Sequence, residues 1–98
     1  MPNKINWTLE AEEDFKQILE FLSHNWNNKI ALIFIDKVDQ NIRRIQHSPK
    51  LHAKINKEKQ IRKCVITEQN SLFYRIEGNV ITLLRIFDTR QNPDTLKF

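Results

Sequence analysis

The stretch Leu72-Phe73-Tyr74-Arg75-Ile76-Glu77-Gly78-Asn79-Val80-Ile81-Thr82-Leu83-Leu84-Arg85-Ile86-Phe87 decides the fold. Two runs rich in β-branched and aromatic residues, Leu72–Ile76 and Val80–Phe87, flank Gly78-Asn79. That dipeptide is a two-residue hairpin signal, because glycine supplies the positive φ such a turn needs at no steric cost. A third run of the same character, Gln60–Thr67, precedes them, so the last third of the chain predicts a three-strand antiparallel meander. With Gly78-Asn79 as the loop, Glu77 pairs with Val80, Arg75 with Thr82 and Phe73 with Leu84. One face then carries Leu72, Tyr74, Ile76, Ile81, Leu83, Arg85 and Phe87. The other carries Phe73, Arg75, Thr82, Leu84, Ile86, Asp88 and, if the extension continues, Arg90. The first is the more apolar and is assigned to a covering layer, the second to an open surface; a bulge in 80–87 would invert the assignment.

Working back from the meander, the period changes from two to that of a helix. Ala31, Phe34, Ile35, Val38, Ile42 and Ile45 recur at helical spacing and stop before Ser48-Pro49, where a helix cannot run on. Ahead of them, Ala11, Phe15, Ile18, Leu19 and Leu22 predict a helix over about residues 9–24. Thr8 is its N-cap, with Glu10, Glu12, Glu13 and Asp14 complementing the dipole of the first turns. Asn25, Asn27 and Asn28 separate the two helices, and Asn3–Trp7 is short and extended. The expectation is a single α+β domain over residues 1–98: β-α-α-β-β-β, with the helical hairpin on one face of a mainly antiparallel four-stranded sheet. Trp7 and Trp26 are expected to staple the helices to that sheet.

Composition narrows the class. At 98 residues, 40% apolar and 29% charged, the chain can build one modest core. Cys64 stands alone, which excludes an internal disulfide and a multi-thiolate metal site and fits a reducing, cytoplasmic setting. No metal or cofactor is called for. No run approaches the ~20 apolar residues that span a bilayer. The formal charge of +4 is unevenly spread, because residues 42–63 hold eight Lys and Arg against Glu58 alone. Arg43, Arg44, Lys50, Lys54, Lys57 and Lys59 form a basic patch suited to an anionic partner, either nucleic acid or an acidic protein tail. The patch contains no aromatic apart from His47 and His52, so it offers attraction without base stacking.

Taken in order, Trp7-Thr8, Asp14-Phe15, Phe21 to Trp26, Ser48-Pro49, Ile61–Lys63, Leu72–Ile76 and Ile86–Pro93 resemble the RelE/ParE superfamily of type II toxin–antitoxin toxins, and its ParE-like branch in particular. The resemblance implies a compact toxin tied to plasmid stabilization and growth inhibition. It also implies a cognate antitoxin that wraps over the toxin with a flexible C-terminal segment, in a toxin–antitoxin hetero-oligomer. ParE-like members poison DNA gyrase by binding it, whereas RelE-like members cut mRNA on the ribosome. Metal-independent RNA cleavage needs a base, an acid and cations for the phosphate in flight. By resemblance, Arg62 and Arg90 fall on two basic positions of RelE-like nucleases, while Cys64, Ser71 and Leu96 stand where a lysine, an arginine and a tyrosine are expected. The equipment is thinned, and the reading leans to a gyrase inhibitor without chemistry of its own.

Two alternatives stay open. One is a ribosome-dependent mRNA endonuclease using Arg62, Arg75 and Arg90, with Tyr74 or His52 carrying a proton. The other is a non-toxic small basic binding module. The expected binding surface is Phe73, Arg75 and Arg90 on the open sheet face, together with Arg62. Arg62 and Lys63 point to opposite faces, and alternation alone does not say which is open. Tyr74 and Cys64 read as core, His47 and His52 as exposed loop residues, and Asp88 as a cap for the segment after it.

Overall fold

In the computed structural model, which describes residues 3–90 and 96–98, a five-stranded sheet is covered on one face by two helices. The chain order is β1 (Lys4–Trp7), α1 (Leu9–Asn25), α2 (Asn28–His47), β2 (Lys54–Asn56), β3 (Ile61–Val65), β4 (Asn70–Glu77) and β5 (Val80–Asp88). The spatial order is β1-β5-β4-β3-β2, with β1 parallel to β5 and every other pair antiparallel. The α+β architecture expected from sequence is present, but the sheet has five strands where four were expected. The extra strand, β2, has three residues, no alternation of buried and exposed positions, and a lysine on an open edge. Period-based reading cannot see so short a segment, and its charge is a familiar device against edge-to-edge pairing.

Local chemistry explains the helix limits. Thr8 Oγ1 accepts from Ala11 N at 3.1 Å and donates to Leu83 O at 2.8 Å, so one hydroxyl caps α1 and ties it to β5. Asn27 Oδ1 does the same for α2, accepting from Ile30 N at 2.9 Å. Asn3 and Gln46 exchange side-chain amide bonds to each other's backbone carbonyls (3.1 and 2.9 Å), clamping the approach to β1 onto the last turn of α2. Between helices and sheet lie Ala11, Ile18, Phe34, Val38, Ile42 and Ile45, packed on Cys64, Leu72, Tyr74, Ile81, Leu83 and Ile86. Burying a Leu, Ile or Phe side chain contributes about 1.5–3 kcal/mol. Trp7 joins this layer, its ring 5.4 Å from Phe15. Trp26 does not: it is 68% exposed beyond the last turn of α1, so the expected pair of tryptophan staples is a single one.

The decisive departure lies in β5. The hairpin register holds from Glu77↔Val80 to Tyr74↔Leu83 and then slips, so that Phe73 faces Arg85, not Leu84. Leu84 is the extra residue of a β-bulge, and a one-residue slip reverses the faces of everything after it. Ile86 therefore turns into the helix-side core, and Phe87 turns away from it. The far face is not open either. Phe73, Phe87 and Ile61 form a second buried cluster there with Leu84 and Leu96, and Phe73 is 4% exposed. Phe98 meets Phe73 edge-on at 5.2 Å, while Lys97 O accepts from Arg85 Nη1 at 3.1 Å. The C-terminal residues thus cover the surface that strand alternation alone leaves bare.

Asp14 holds the slipped half of β5 in place. Pairing with β1 ends at Trp7↔Leu83, which would leave the rest of that strand edge unpaired. The Asp14 carboxylate fills the gap, accepting from Ile86 N at 3.0 Å and from Arg85 Nε and Nη2 at 2.6 and 3.0 Å. Both side chains are mostly shielded from solvent, so the charge-assisted bonds are weakly screened. Asp14→Ala is expected to destabilise the protein by about 3 kcal/mol, because it strands Arg85 and a backbone donor together. The exposed Asp39–Arg43 pair provides the control: Asp39→Ala should cost under about 1 kcal/mol in the same urea titration.

Candidate functional site

The three arginines marked out by sequence occupy three separate places. Arg75 lies on the far face in register with Ile61 and Thr82, next to the β4–β5 turn. Its Nε is 3.4 Å from Glu77 Oε1, and both side chains are well exposed. Thr82 and the Arg75 guanidinium together hold the Glu77 carboxyl below its usual range. Arg62, in register with Tyr74, lies on the helix-side face at the end of β3 near the α2–β2 loop. Its Nη1 donates to His52 O at 2.6 Å and to Lys50 O at 3.4 Å. Arg90 follows β5 at the opposite end of the sheet. The bulge has moved it to the helix side, where its guanidinium stacks over the Phe21 ring of α1 at 4.9 Å. Asp88 receives its Nε and Nη2 and its backbone N–H, the capping role expected of Asp88, and the pairing lowers the pKa of that carboxyl. Residues 91–93 of the closing motif lie outside the described residues.

Register sets the separations. Asn70, the partner of Asp88, is five residues from Arg75 along β4, which at about 3.4 Å per residue is about 17 Å. Arg90 lies two residues farther on. Arg62 and Arg75 are lateral neighbours but project from opposite faces. A phosphoryl group spans only a few ångströms, so no two of these guanidinium groups clamp the same one. The expected binding surface of Arg62, Phe73, Arg75 and Arg90 is therefore not one continuous face: Phe73 is buried on the far face, and of the three arginines only Arg75 shares that face with it.

The positions aligned with other nuclease-type residues hold buried or partly buried side chains. Cys64 is fully buried, donating toward Asn41 Oδ1 at 3.5 Å, and burial pushes its thiol up to about 11. Ser71 is buried at the far end of β4, and Leu96 packs in the far-face cluster. Tyr74 donates its hydroxyl to Pro49 O at 2.7 Å, and burial drives its pKa up to about 12. His52 stands edge-on to the Tyr74 ring at 6.3 Å, half-buried where full exposure was expected, and burial lowers its pKa. Among the described residues no group of three His, Cys, Asp or Glu side chains gathers to hold a metal.

Two surface features went unread in the sequence. The first is a depression of about 390 Å³ at the turn end of the helical hairpin, lined by Leu22, Trp26, Ile30, Ile33, Lys37 and Arg90 among others. Its signal was available in the off-stripe apolar residues Trp26, Ile30 and Ile33. The second is a smaller depression of about 280 Å³ lined by Lys50, Lys54, Gln60, Arg62 and Ile76. Here part of the basic patch converges, brought together by the unforeseen strand β2. Gln60 adopts φ 59°, a left-handed conformation that costs a non-glycine residue about 1 kcal/mol. Bonds from Lys59 N to Asn56 Oδ1 and from Gln60 Nε2 to Lys57 O hold that turn.

The buried thiol and phenol have a consequence for stability. Their ordinary values are 9.0 and 10.0, and both are raised in the folded protein, to about 11 and about 12. The unfolded chain therefore releases these protons first on alkaline titration. Their contribution is intact below pH 9 and falls as pH rises, each group costing about 1.4 kcal/mol per unit inside its window. Urea midpoints from pH 8 to 11 should drop accordingly. Cys64→Ala should lower the whole curve while flattening its fall between pH 9 and 10.

The profile of the ParE toxin of type II toxin–antitoxin systems (parDE) matches residues 5–93. No curated protein matches the chain. Among solved structures, the chromosomal ParDE toxin–antitoxin system of P. aeruginosa superposes with a TM-score of 0.75 at 18% identity, covering 88% of this chain and 95% of that one. The YoeB/ParE toxin of Agrobacterium tumefaciens gives 0.65 at 17% identity, with 87% and 97% covered. The RelBE2 toxin–antitoxin complex of Mycobacterium tuberculosis gives 0.60 at 15% identity, with 90% and 99% covered. These likenesses are of fold, and the profile match over nearly the whole length goes further: the chain belongs to the ParE toxin family of type II toxin–antitoxin systems.

Proposed function

We propose that this protein is a ParE-like toxin that inhibits DNA gyrase by surface contact and is neutralised in the cytoplasm by a cognate antitoxin. The observation that carries the reading is the dispersal of Arg62, Arg75 and Arg90 over two faces and both ends of the sheet. Electrostatic stabilisation of a cleaving phosphate requires donors aimed at one reacting centre. Spread as they are, these cations suit contacts with an extended macromolecular surface. Burial of Cys64 and Ser71, at positions where a nuclease of this superfamily would carry cations, supports the same reading. Solved relatives captured as toxin–antitoxin complexes support an antitoxin partner. So does the apolar row of Trp26, Ile30 and Ile33, left uncovered at the end of the helices beside Lys37 and Arg90.

The competing reading is an mRNA endonuclease, and one observation favours it: Arg62, His52 and Tyr74 do come together. A nuclease centre there would have a neutral imidazole as base. Its phenol, however, is already committed to Pro49 O, and Arg75 and Arg90 take no part. Induced expression separates the readings. The gyrase reading predicts that the purified protein blocks DNA supercoiling by gyrase and that a reporter mRNA stays intact in primer extension. Codon-phased cuts in the mRNA with supercoiling unaffected would overturn it in favour of the nuclease. Growth without inhibition would overturn both in favour of a non-toxic binding module.

A further inference from the structure

The α2–β2 loop and β2 fold back beside the end of β3, bringing Lys50, Lys54 and Arg62 to one depression of about 280 Å³. Arg62 is held there by two backbone carbonyls, His52 O and Lys50 O, which leaves the rest of its fork in a set orientation. Arg43, Arg75, Arg85 and Arg90 each have a carboxylate partner. Among the described residues, Lys50, Lys54 and Arg62 have none within ion-pair distance. Lys57 and Lys59 lie on the exposed turn that follows β2, widening the positive surface. Three converging, uncompensated cations leave an anion as the missing partner.

The lining decides which anion. An acidic peptide is held chiefly by apolar and aromatic anchors in desolvated pockets, and here the only apolar side chain is that of Ile76. No aromatic side chain lines the depression, so bases cannot stack in it and a single strand has no platform. What remains is a run of phosphates, bound through charge and counterion release with no reading of sequence. We propose that Lys50, Lys54 and Arg62 form a phosphate-binding site for the backbone of duplex DNA, through which the toxin grips the DNA segment held by gyrase. The inference rests on the gyrase reading for its biological setting, and the DNA contact itself is separately measurable.

The test uses the full chain and a fluorescein-labelled duplex of arbitrary sequence, followed by anisotropy across a salt series. Engagement of three phosphates predicts a slope of log affinity against log salt near −2.7, at about 0.9 per phosphate. The double variant Lys50→Gln/Lys54→Gln should shed about two contacts from that slope and bind at least about tenfold more weakly near 0.1 M salt. Lys4→Gln/Lys16→Gln removes the same charge elsewhere and should bind as the wild type does; both doubles should keep the parent circular dichroism and melting. Absence of salt-dependent duplex binding, equal loss in the two doubles, or tighter binding of single-stranded RNA or of a poly-glutamate peptide would overturn the site. A supercoiling assay run in parallel keeps the two ideas apart. Gyrase inhibition without duplex binding removes the DNA site alone, and duplex binding through Lys50 and Lys54 without gyrase inhibition removes the gyrase reading alone.

Discussion

The position of every candidate side chain at the C-terminal end of the sheet depends on one carboxylate. Asp14 closes the edge that β1 leaves unpaired, accepting from Ile86 N and from Nε and Nη2 of Arg85 directly after the bulge at Leu84. The bulge alone would give β5 two competing registers, since a flexible strand end can absorb one extra residue in more than one place. A bidentate ion pair to a side chain on the first helix selects one of them. From that choice follow the inward turn of Ile86, the outward turn of Phe87, the far-face cluster closed by the C-terminal residues, and the seating of Arg90 against Phe21.

The same constraint keeps the arginines apart. In the unbulged register, Arg75 and Arg90 would share a face with Phe73, and a continuous cationic surface would cross the sheet. In the observed one, Arg90 belongs to the end of the helical hairpin and Arg75 to the opposite corner, each balanced by a nearby carboxylate. Lys50, Lys54 and Arg62, at the β2 edge, are among the described cations without a carboxylate partner and share one depression. Three cations thus gather at one corner of the sheet, with the apolar depression around Trp26 at the other end. An inhibitor that works by attachment needs such spaced surfaces, and a phosphodiesterase needs one focused centre.

Most of the fold was legible because it rests on local rules. The Thr8 cap, the helical stripes, the stop at Ser48-Pro49 and the Gly78-Asn79 turn each depend on residues close in sequence, and each stands in the structure. What escaped depends on distant partners. The bulge at Leu84 has no local signature, since LLRIF alternates plausibly in either register, and only Asp14, some seventy residues earlier, arbitrates. β2 is too short to show a period and exists because β3 offers it an edge. Phe73 reads as a surface aromatic until the chain end folds over it. The candidate site was legible as residue types but not as an arrangement. Charge counting found the basic patch, while the convergence of Lys50 and Lys54 on Arg62 required the fold.

Under the proposed function, Arg62, Arg75 and Arg90 act as separate contacts and not as one centre. Residues of one centre fail together, so that losing any one costs about as much as losing all, whereas distant, independent contacts add. The direct measurement is the half-inhibiting concentration in gyrase supercoiling for Arg62→Ala, Arg75→Ala, Arg90→Ala and the triple variant. Separate contacts predict three modest losses whose logarithms sum to that of the triple variant. A single substitution as damaging as the triple, in a protein that still folds, would contradict the account.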